Sequence, residues 1–235
     1  MNPPPRRGRP PKGTSNLSRP AIVDAALDVI AADGLDGVSM RTVARGLGVD
    51  PKSLYNHIDG KDALLDAVAE RVLGSITLDA PTGDLGTDLH ALATAFREVA
   101  LAHPTAASLV LTRQLASVEG LAPVDAAIGI LRAAGCPPAE SVHLLRAVLA
   151  TLIGTLLRET HAGPTYGSSD PDEVDRRRAA LENSGLPAVV DVAPHLARYD
   201  SNTEFDYAVA LAVAAVETRI ASLADRSARP VRIVP

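Results

Sequence analysis

The 235-residue sequence is poor in aromatic residues and has no tryptophan. Aromatic residues make up 3% of the chain, whereas apolar residues as a whole make up 46%. A core of this composition must consist mainly of Ala, Leu and Val, which suits packed helices. No run of Val, Ile, Thr and aromatic residues alternates with period two over a convincing length. The sequence therefore predicts an all-α fold.

Cysteine is also nearly absent. The single cysteine, Cys136, excludes a disulfide within the chain and argues against a zinc site built from cysteines. We interpret Cys136, which precedes Pro137, as a buried or half-exposed thiol rather than a redox sensor. None of the six histidines is four residues from another, which is the spacing of a helical metal pair. We predict no metal site and no cofactor.

Several longer signals are missing as well. We find no apolar run of the length of a membrane span, and no apolar stretch after the N-terminal basic residues as in a signal peptide. These absences predict a cytoplasmic protein that does not contact a membrane. There is no Gly-rich phosphate loop, no G-x-S-x-G motif and no pair of acids at a catalytic spacing. We therefore expect no enzyme activity.

Lysine is scarce, and its placement is uneven. Lys12, Lys52 and Lys61 are the only lysines, and all lie in the first 61 residues. That segment has nine basic and six acidic residues, a net charge of +3, although the whole chain carries −5. Residues 62–235 carry fourteen basic and twenty-two acidic residues, a net charge of −8. This asymmetry fits a DNA-binding domain joined to a domain that avoids DNA.

Residues 1–17 are rich in Pro and Arg and cannot bury a core, so we predict a disordered basic arm. The stretch from Arg7 to Pro10 resembles the centre of an AT-hook, whose arginines enter narrow A·T-rich minor grooves. The alternative is a solvated tail that adds only non-specific affinity. In both cases Arg7 and Arg9 are candidate DNA contacts, and the arm should strengthen binding in a salt-dependent manner.

Residues 18–60 show the pattern of a helix-turn-helix DNA-binding domain. After a first helix, Ser39 is a good N-cap for a short second helix. Gly48 supplies the positive φ that a sharp turn needs. Asp50 then caps a third helix that has Pro51 at its first position, where the missing N–H costs nothing. The pattern predicts a partner, the major groove of duplex DNA.

The third helix is expected to turn Leu54 and Ile58 toward the core and to leave polar side chains outside. The outward-facing residues are Lys52, Ser53, Tyr55, Asn56 and His57. Such side chains donate hydrogen bonds to phosphates and base edges, and tyrosine also packs on a sugar or a thymine methyl group. We interpret this face as the DNA-reading surface.

Lys61 stands at the start of a connecting helix, within residues 61–78, where the positive end of the helix dipole disfavours a cation. A bound phosphate would remove this conflict, because helix N-termini bind anions. The alternative is that Lys61 pairs with Asp59 or Asp62.

The segment from Val38 to Leu65 resembles the DNA-binding domain of the TetR family, one-component bacterial regulators named for the tetracycline repressor. The residues that carry the resemblance are Ala44, Leu47, Gly48, Val49, Leu54, Tyr55, His57, Lys61, Leu64 and Leu65. Asn56 departs from the tetracycline repressor itself, which has a large aromatic residue there.

The resemblance implies a role for each residue on this face. Arg41 would read a base, which we expect to be guanine. The base-facing end of the recognition helix would consist of Pro51, Lys52 and Ser53. The residues that would hold phosphates are Tyr55, His57 and Lys61.

Residues 79–235 are expected to form a helical regulatory and dimerisation domain. Two helices, at about 139–161 and 204–224, are apolar enough to need partners on two sides. We interpret them as a four-helix interface with a second copy of the chain, an arrangement that the resemblance also implies. The alternative is that both stripes belong to the internal core. A dimer would place two recognition helices about 34 Å apart, the spacing of a near-palindromic operator.

A helical body attached to a DNA reader suggests a switch controlled by a small molecule, which would bind one conformation better than the other. Candidate pocket residues are Phe96, Leu109, Thr112, Arg113, Gln114 and Leu149. Thr112 and Arg113 stand out because a Thr-Arg pair at a comparable place helps to receive the ligand in the tetracycline repressor. The alternative is that Arg113 is a surface or helix-end residue.

The same resemblance bears on the identity of the effector. Thr77 and Leu109 stand where the tetracycline repressor uses histidines to hold a drug–metal complex. We therefore expect an apolar or aromatic metabolite, or an exported antibiotic, rather than tetracycline–magnesium.

The favoured function is a homodimeric repressor that binds a near-palindromic operator and is released by a small molecule. The alternative is an architectural or activating DNA-binding protein that needs no ligand. A ligand-induced change in melting temperature or in DNA affinity would separate the two.

Overall fold

The structure is a computed structural model that describes residues 17–113 and 117–228. These ranges contain eleven α-helices and one π-helical turn, but no strand. A single β-bridge joins Ser168 to Arg198. The all-α prediction is confirmed. Arg7 and Arg9 of the predicted arm lie outside the described residues, as does Gln114.

The chain divides into two compact units, and the division falls after Val68. The helices that begin in the N-terminal unit are α1 (Arg19–Asp33), α2 (Met40–Leu47), α3 (Pro51–Leu54) and α4 (Gly60–Leu73). The core of this unit is aliphatic, as the composition requires. Its most deeply buried large side chains are Ile22, Ile30, Val38, Val43, Leu54, Leu64 and Val68.

The first helix has the limits that its capping residues predict. Ser18 Oγ accepts a hydrogen bond from the Ala21 N–H at 3.4 Å, which satisfies one of the free donors at the start of α1. Gly34 ends the helix with φ 73°, a conformation that glycine adopts without steric cost.

The C-terminal unit contains the remaining helices and a π-helical turn, Arg158–Ala162, that directly follows α8. The helices are α5 (Leu85–Ala102), α6 (Pro104–Thr112), α7 (Val118–Ala133), α8 (Pro138–Leu157), α9 (Pro171–Glu182), α10 (Pro187–Leu196) and α11 (Ser201–Ala228). One aliphatic cluster lies between α5, α8 and α11 around Phe205. A second contains Cys136, whose side chain is fully buried, so the interpretation of a buried thiol is confirmed.

The sequence-based limits of α6 and α7 were wrong. The helical pattern of the sequence and Pro123 predict one helix over about 105–118 and another over about 123–134, but α6 ends at Thr112 and α7 begins at Val118. The cap that decides this is Ser117, whose Oγ accepts a hydrogen bond from the Gly120 N–H at 3.1 Å. Pro123 therefore lies inside α7. Its missing N–H removes one bond of the helix ladder, which the helix tolerates.

The Pro and Gly residues between about 183 and 204 predict a broken, non-helical stretch, but α10 forms there. Pro187 occupies the first turn of this helix, where its fixed φ is favourable. Pro194 lies in the last turn and does not end the helix before Leu196. Proline was therefore given too much weight as a helix breaker in this region.

α8 and α11 contradict the expectation that no apolar stretch is long enough to cross a membrane. Pro138–Thr160 and Ser201–Asp225 both reach that length and hydropathy. This criterion considers length and composition alone, and core helices of soluble proteins meet it too. Both helices carry charges, and Arg219 Nε of α11 donates a hydrogen bond to Glu140 Oε1 of α8.

A half-buried ion pair joins α5 to the π-helical turn, and the same arginine also contacts α11. Arg97 Nε donates to Glu159 Oε2 at 2.9 Å, and Arg97 Nη2 donates to Asn202 Oδ1 at 2.8 Å. The guanidinium carbon also lies 4.6 Å from the centre of the Phe205 ring, within the range of a cation–π contact. The hydrogen bond to Glu159 raises the pKa of Arg97.

Asp88 fixes the chain just before α5. Its Oδ1 accepts hydrogen bonds from the Thr82 hydroxyl at 2.7 Å and the Thr82 N–H at 2.8 Å, and its Oδ2 accepts one from the Gly83 N–H at 3.0 Å. The Thr82 hydroxyl is the main reason why the pKa of Asp88 lies below its ordinary value. The carboxylate therefore holds the segment that leads into α5.

Candidate nucleic-acid interface and ligand cavity

Reciprocal capping fixes the start of α2. Ser39 Oγ accepts a hydrogen bond from the Thr42 N–H at 3.1 Å, and Thr42 Oγ1 accepts one from the Ser39 N–H at 2.8 Å. Thr42 thus takes the place that Glu or Gln has in most capping boxes. Arg41 is the second residue of this helix, and its side chain is exposed to solvent.

The turn between α2 and α3 has the predicted geometry. Gly48 adopts the left-handed conformation with φ 67°, and the Val49 N–H donates to the Ala44 carbonyl at 3.0 Å. Asp50 Oδ1 then accepts a hydrogen bond from the Lys52 N–H at 2.8 Å, with Pro51 at the first position of α3. The start of α3 is therefore fixed by the Gly48 turn before it and by the Asp50 cap.

α3 is shorter than the sequence indicated, because it ends at Leu54 and hydrogen-bonded turns follow it. In these turns the His57 and Ile58 N–H groups donate to the Leu54 carbonyl at 2.9 and 3.0 Å. Leu54 and Ile58 are buried, as expected. The turns leave Tyr55 with 54% of its surface exposed, and Asn56 is also exposed.

Lys61 is the second residue of α4, which begins at Gly60 with φ 89°. Its side chain is exposed, and Asp62 provides an acid in the same first turn. All the predicted DNA contacts within the described residues therefore lie between the start of α2 and the first turn of α4. The exposed ones are Arg41, Lys52, Tyr55, Asn56, His57 and Lys61, and the half-buried ones are Pro51 and Ser53.

The C-terminal unit contains a cavity of about 320 Å³, lined by α5, α6, α7 and α8 and by Leu73 at the end of α4. We call it the inner cavity. Apart from Phe96 and Arg113, its lining consists of aliphatic residues, glycine and proline. Arg113 is half-buried and is the one charged residue among those that line it. A concave, mostly apolar site with few polar groups is typical of small-molecule binding.

Three of the six candidate pocket residues, Phe96, Arg113 and Leu149, line the inner cavity. Leu109 is buried but does not line it, whereas the next residue, Val110, does. The side chain of Thr112 is not described. Lining residues that we had not proposed include Leu145, Val148 and Leu152. Their spacing with Leu149 is that of one helical face, so periodicity could have found them.

α8 and α11 pack on each other and present apolar and small side chains to solvent. Only 22% and 11% of their most apolar segments are buried within one chain. On α11, Tyr207 and Leu211 are 65% and 56% exposed, and Val142 of α8 is 36% exposed. Several exposed apolar side chains on one pair of packed helices are typical of an interaction site.

The described residues contain no group of three or more His, Cys, Asp or Glu that could hold a metal ion. The arrangement therefore consists of a polar exposed surface in the N-terminal unit, together with an apolar cavity and an apolar helix pair in the C-terminal unit. No catalytic constellation was expected from the sequence.

Comparison with known proteins identifies two matching regions, one in each unit. Residues 22–68 match the model for bacterial regulatory proteins of the tetR family, and residues 79–220 match the tetracyclin repressor-like C-terminal domain. An HTH-type transcriptional regulator of Saccharopolyspora erythraea is 34% identical over 145 residues, and the match covers 61% of each chain. The chain thus matches less than two thirds of that regulator's length.

Two further proteins match more of the chain. The class A tetracycline repressor from transposon 1721 of Escherichia coli is 30% identical over 182 residues, which cover 76% of this chain and 80% of the repressor. The structure of ActR from Streptomyces coelicolor in complex with (S)-DNPA has a TM-score of 0.75 at 23% identity, covering 87% of this chain and 99% of ActR. The chain belongs to the TetR family of bacterial regulatory proteins.

Proposed function

We propose that this protein is a homodimeric transcriptional repressor that binds a near-palindromic operator and is released when a small molecule fills the inner cavity. The observation that carries the proposal is the capped α2–turn–α3 segment, which holds a row of exposed polar side chains on a buried aliphatic core. A surface without a binding partner does not need its exposed polar side chains to be held in fixed positions. The similarity to a class A tetracycline repressor supports the same function.

In this proposal the reading surface divides into base contacts and phosphate contacts. Arg41 reads a base, because a guanidinium group can donate two hydrogen bonds to the major-groove edge of guanine. Pro51, Lys52 and Ser53 form the base-facing tip. Tyr55, Asn56 and His57 follow the tip in exposed turns that suit the phosphate backbone. Lys61 stands beside the N-terminus of α4, where a phosphate is favourable.

The proposed dimer interface is the exposed face of α8 and α11. Within one chain this face leaves Leu211 and Tyr207 more than half exposed, and a second copy would cover them in a four-helix arrangement. The apolar character of both helices is thus explained by a protein partner, without a membrane. We place the activity in the cytoplasm, where the operator is accessible.

The inner cavity is the proposed effector site. Its volume is about 320 Å³ and its lining is mainly aliphatic, so burial of an apolar ligand there would favour binding. Phe96, Arg113 and Leu149 are the predicted contacts that line it. ActR, which shares the fold, was solved with (S)-DNPA bound. An effector that binds one conformation better than the other would lower operator affinity. The ligand-independent alternative gives the cavity no role.

Arg41→Ala and Lys61→Ala distinguish the two classes of contact on an operator selected from random duplexes. Arg41→Ala should cost about 1–3 kcal/mol of binding free energy and make one base position tolerant of substitution. Lys61→Ala should weaken binding to every sequence and lower the slope of log affinity against log salt by about 0.9 per subunit. Fluorescence anisotropy titrations at several salt concentrations measure both effects.

Arg176→Ala is the matched control, because it removes one exposed positive charge from α9 in the other unit. We expect it to leave the operator affinity and the salt slope almost unchanged. If Arg41→Ala weakens binding to all sequences equally, Arg41 is a phosphate contact. If Lys61→Ala leaves the salt slope at the wild-type value, the phosphate role of Lys61 is wrong.

A further inference from the structure

A second cavity adjoins the inner cavity at the surface of the C-terminal unit. It measures about 340 Å³ and is lined by residues between Leu73 and Leu78 and between Val118 and Pro123. We call it the outer cavity. Leu73 and Pro123 line both cavities, so the two lie on either side of these residues. The outer cavity was not predicted from the sequence, because it forms between the chain after α4 and the first turns of α7.

The rim of the outer cavity is apolar and exposed. Val118 and Leu78 are 83% and 37% exposed, and Leu121, three residues after Val118 in α7, is 46% exposed. Val118 and Leu78 line the outer cavity. Exposed aliphatic side chains scattered over a surface need no explanation, but a group of them around a cavity is typical of a binding site for an apolar molecule.

The first two turns of α7 separate the two cavities. Gly120 lines the inner cavity, while Val118 and Ala122 line the outer one. Glycine has no side chain to narrow the inner side of this wall. Pro123, at the boundary, has no N–H and therefore leaves one bond of the helix ladder unmade. The boundary between the cavities therefore consists of Leu73, Pro123 and the first turns of α7.

We propose that the inner and outer cavities form one elongated binding site, and that the effector is an extended, largely apolar molecule. One end of this molecule lies near Phe96 and Arg113, and the other end reaches the rim at Val118 and Leu78. Leu73 and Pro123 line both cavities, and both linings are mainly apolar, so a molecule longer than the inner cavity would continue into the outer one. The inference rests on the proposed function, in which the inner cavity binds the effector.

Straight-chain carboxylates test the proposal, because they keep one head group while the length changes. The assay measures how well each carboxylate from octanoate to octadecanoate displaces the neutral fluorophore N-phenyl-1-naphthylamine from the full-length protein. Each carboxylate is used below its micelle-forming concentration. Each buried methylene contributes about 0.8 kcal/mol, which is roughly a fourfold gain in affinity. In the wild-type protein we expect the affinity to keep rising to the longest members.

Ala122→Trp places a large side chain in the outer cavity from an exposed position on α7. We expect octanoate to bind this variant within about twofold of its wild-type affinity. We expect octadecanoate to bind at least about tenfold more weakly, because the new Trp side chain excludes the outer half of the chain from the outer cavity. Val118→Trp, from the most exposed rim position, should repeat the result even if Ala122→Trp folds poorly.

Ala180→Trp on the exposed face of α9 is the matched control. It should leave the affinity of every carboxylate unchanged. Leu149→Trp, in the inner cavity, should weaken every member. Equal losses for short and long chains in both rim variants, or no loss in either, would overturn the elongated site. If no carboxylate displaces the fluorophore from the wild-type protein, the elongated site is wrong, whereas the proposed function, which also allows a compact aromatic effector, is not contradicted. If the carboxylates bind but Leu149→Trp leaves every affinity unchanged, they do not bind in the inner cavity and the elongated site is again wrong.

Discussion

Leu211→Glu is expected to convert the proposed dimer to a monomer and to abolish operator binding at nanomolar concentrations. Leu211 is 56% exposed on α11, in the proposed interface. A two-fold interface contains each substitution twice, so two carboxylates would lose water without gaining partners. At about 3 kcal/mol for each unpaired charge, the dimer dissociation constant rises by roughly 10⁴-fold. Sedimentation velocity at micromolar concentration measures the change.

Leu101→Glu provides the comparison. Leu101 is 41% exposed near the end of α5, outside the proposed interface, and receives the same new charge. This variant should remain dimeric and bind the operator as the wild-type protein does. A Leu211→Glu protein that stays dimeric and keeps its operator affinity would show that α8 and α11 are not the interface.

Phe205→Ala is expected to lower the free energy of unfolding by about 3–5 kcal/mol. The Phe205 side chain is 1% exposed and packs in the cluster between α5, α8 and α11. Its removal leaves a cavity and also takes away the ring beneath the Arg97 guanidinium. Urea unfolding followed by circular dichroism gives the value, at one fixed protein concentration because the proposed dimerisation would make stability depend on concentration.

Phe205→Leu separates packing from the aromatic contact. Leucine refills most of the space, so we expect roughly half the loss seen with alanine. If Phe205→Ala lowers the free energy of unfolding by less than about 1 kcal/mol, the cluster around Phe205 is not a main source of stability.

The helix-turn-helix could be predicted from the sequence because short-range interactions set its limits. Ser18, Ser39 and Asp50 each cap a helix through their own side chain, and Gly48 makes the turn. The limit of this reasoning is the end of α3. The four-residue spacing of Leu54 and Ile58 indicated a longer helix, but both side chains are buried although the helix ends at Leu54.

In the C-terminal unit, local signals competed with tertiary packing. Pro123 was interpreted as a helix start, yet Ser117 caps the helix five residues after the end of α6, and Pro123 lies within it. The cost of one missing hydrogen bond is offset where the following turns bury apolar residues, as α7 does with Ala127 and Leu131. Such burial depends on neighbours that are distant in sequence.

The inner cavity was only partly predictable for the same reason. Helical periodicity tells which residues of one helix share a face, and it would have grouped Leu145, Leu149 and Leu152. It does not tell which helices face one another. For α6 we chose Leu109, whereas the helix rotation places Val110 on the cavity.

Selection of bound duplexes from random-sequence DNA, followed by hydroxyl-radical footprinting, tests the central claim most directly. A paired reader should enrich one near-palindrome and protect two symmetric regions whose centres lie about one helical turn, 34–36 Å, or a multiple of it apart. In the Leu211→Glu protein, the protection of both regions should be lost together. Enrichment of unrelated sequences, or protection without two-fold symmetry, would contradict the account of a dimeric, sequence-specific regulator.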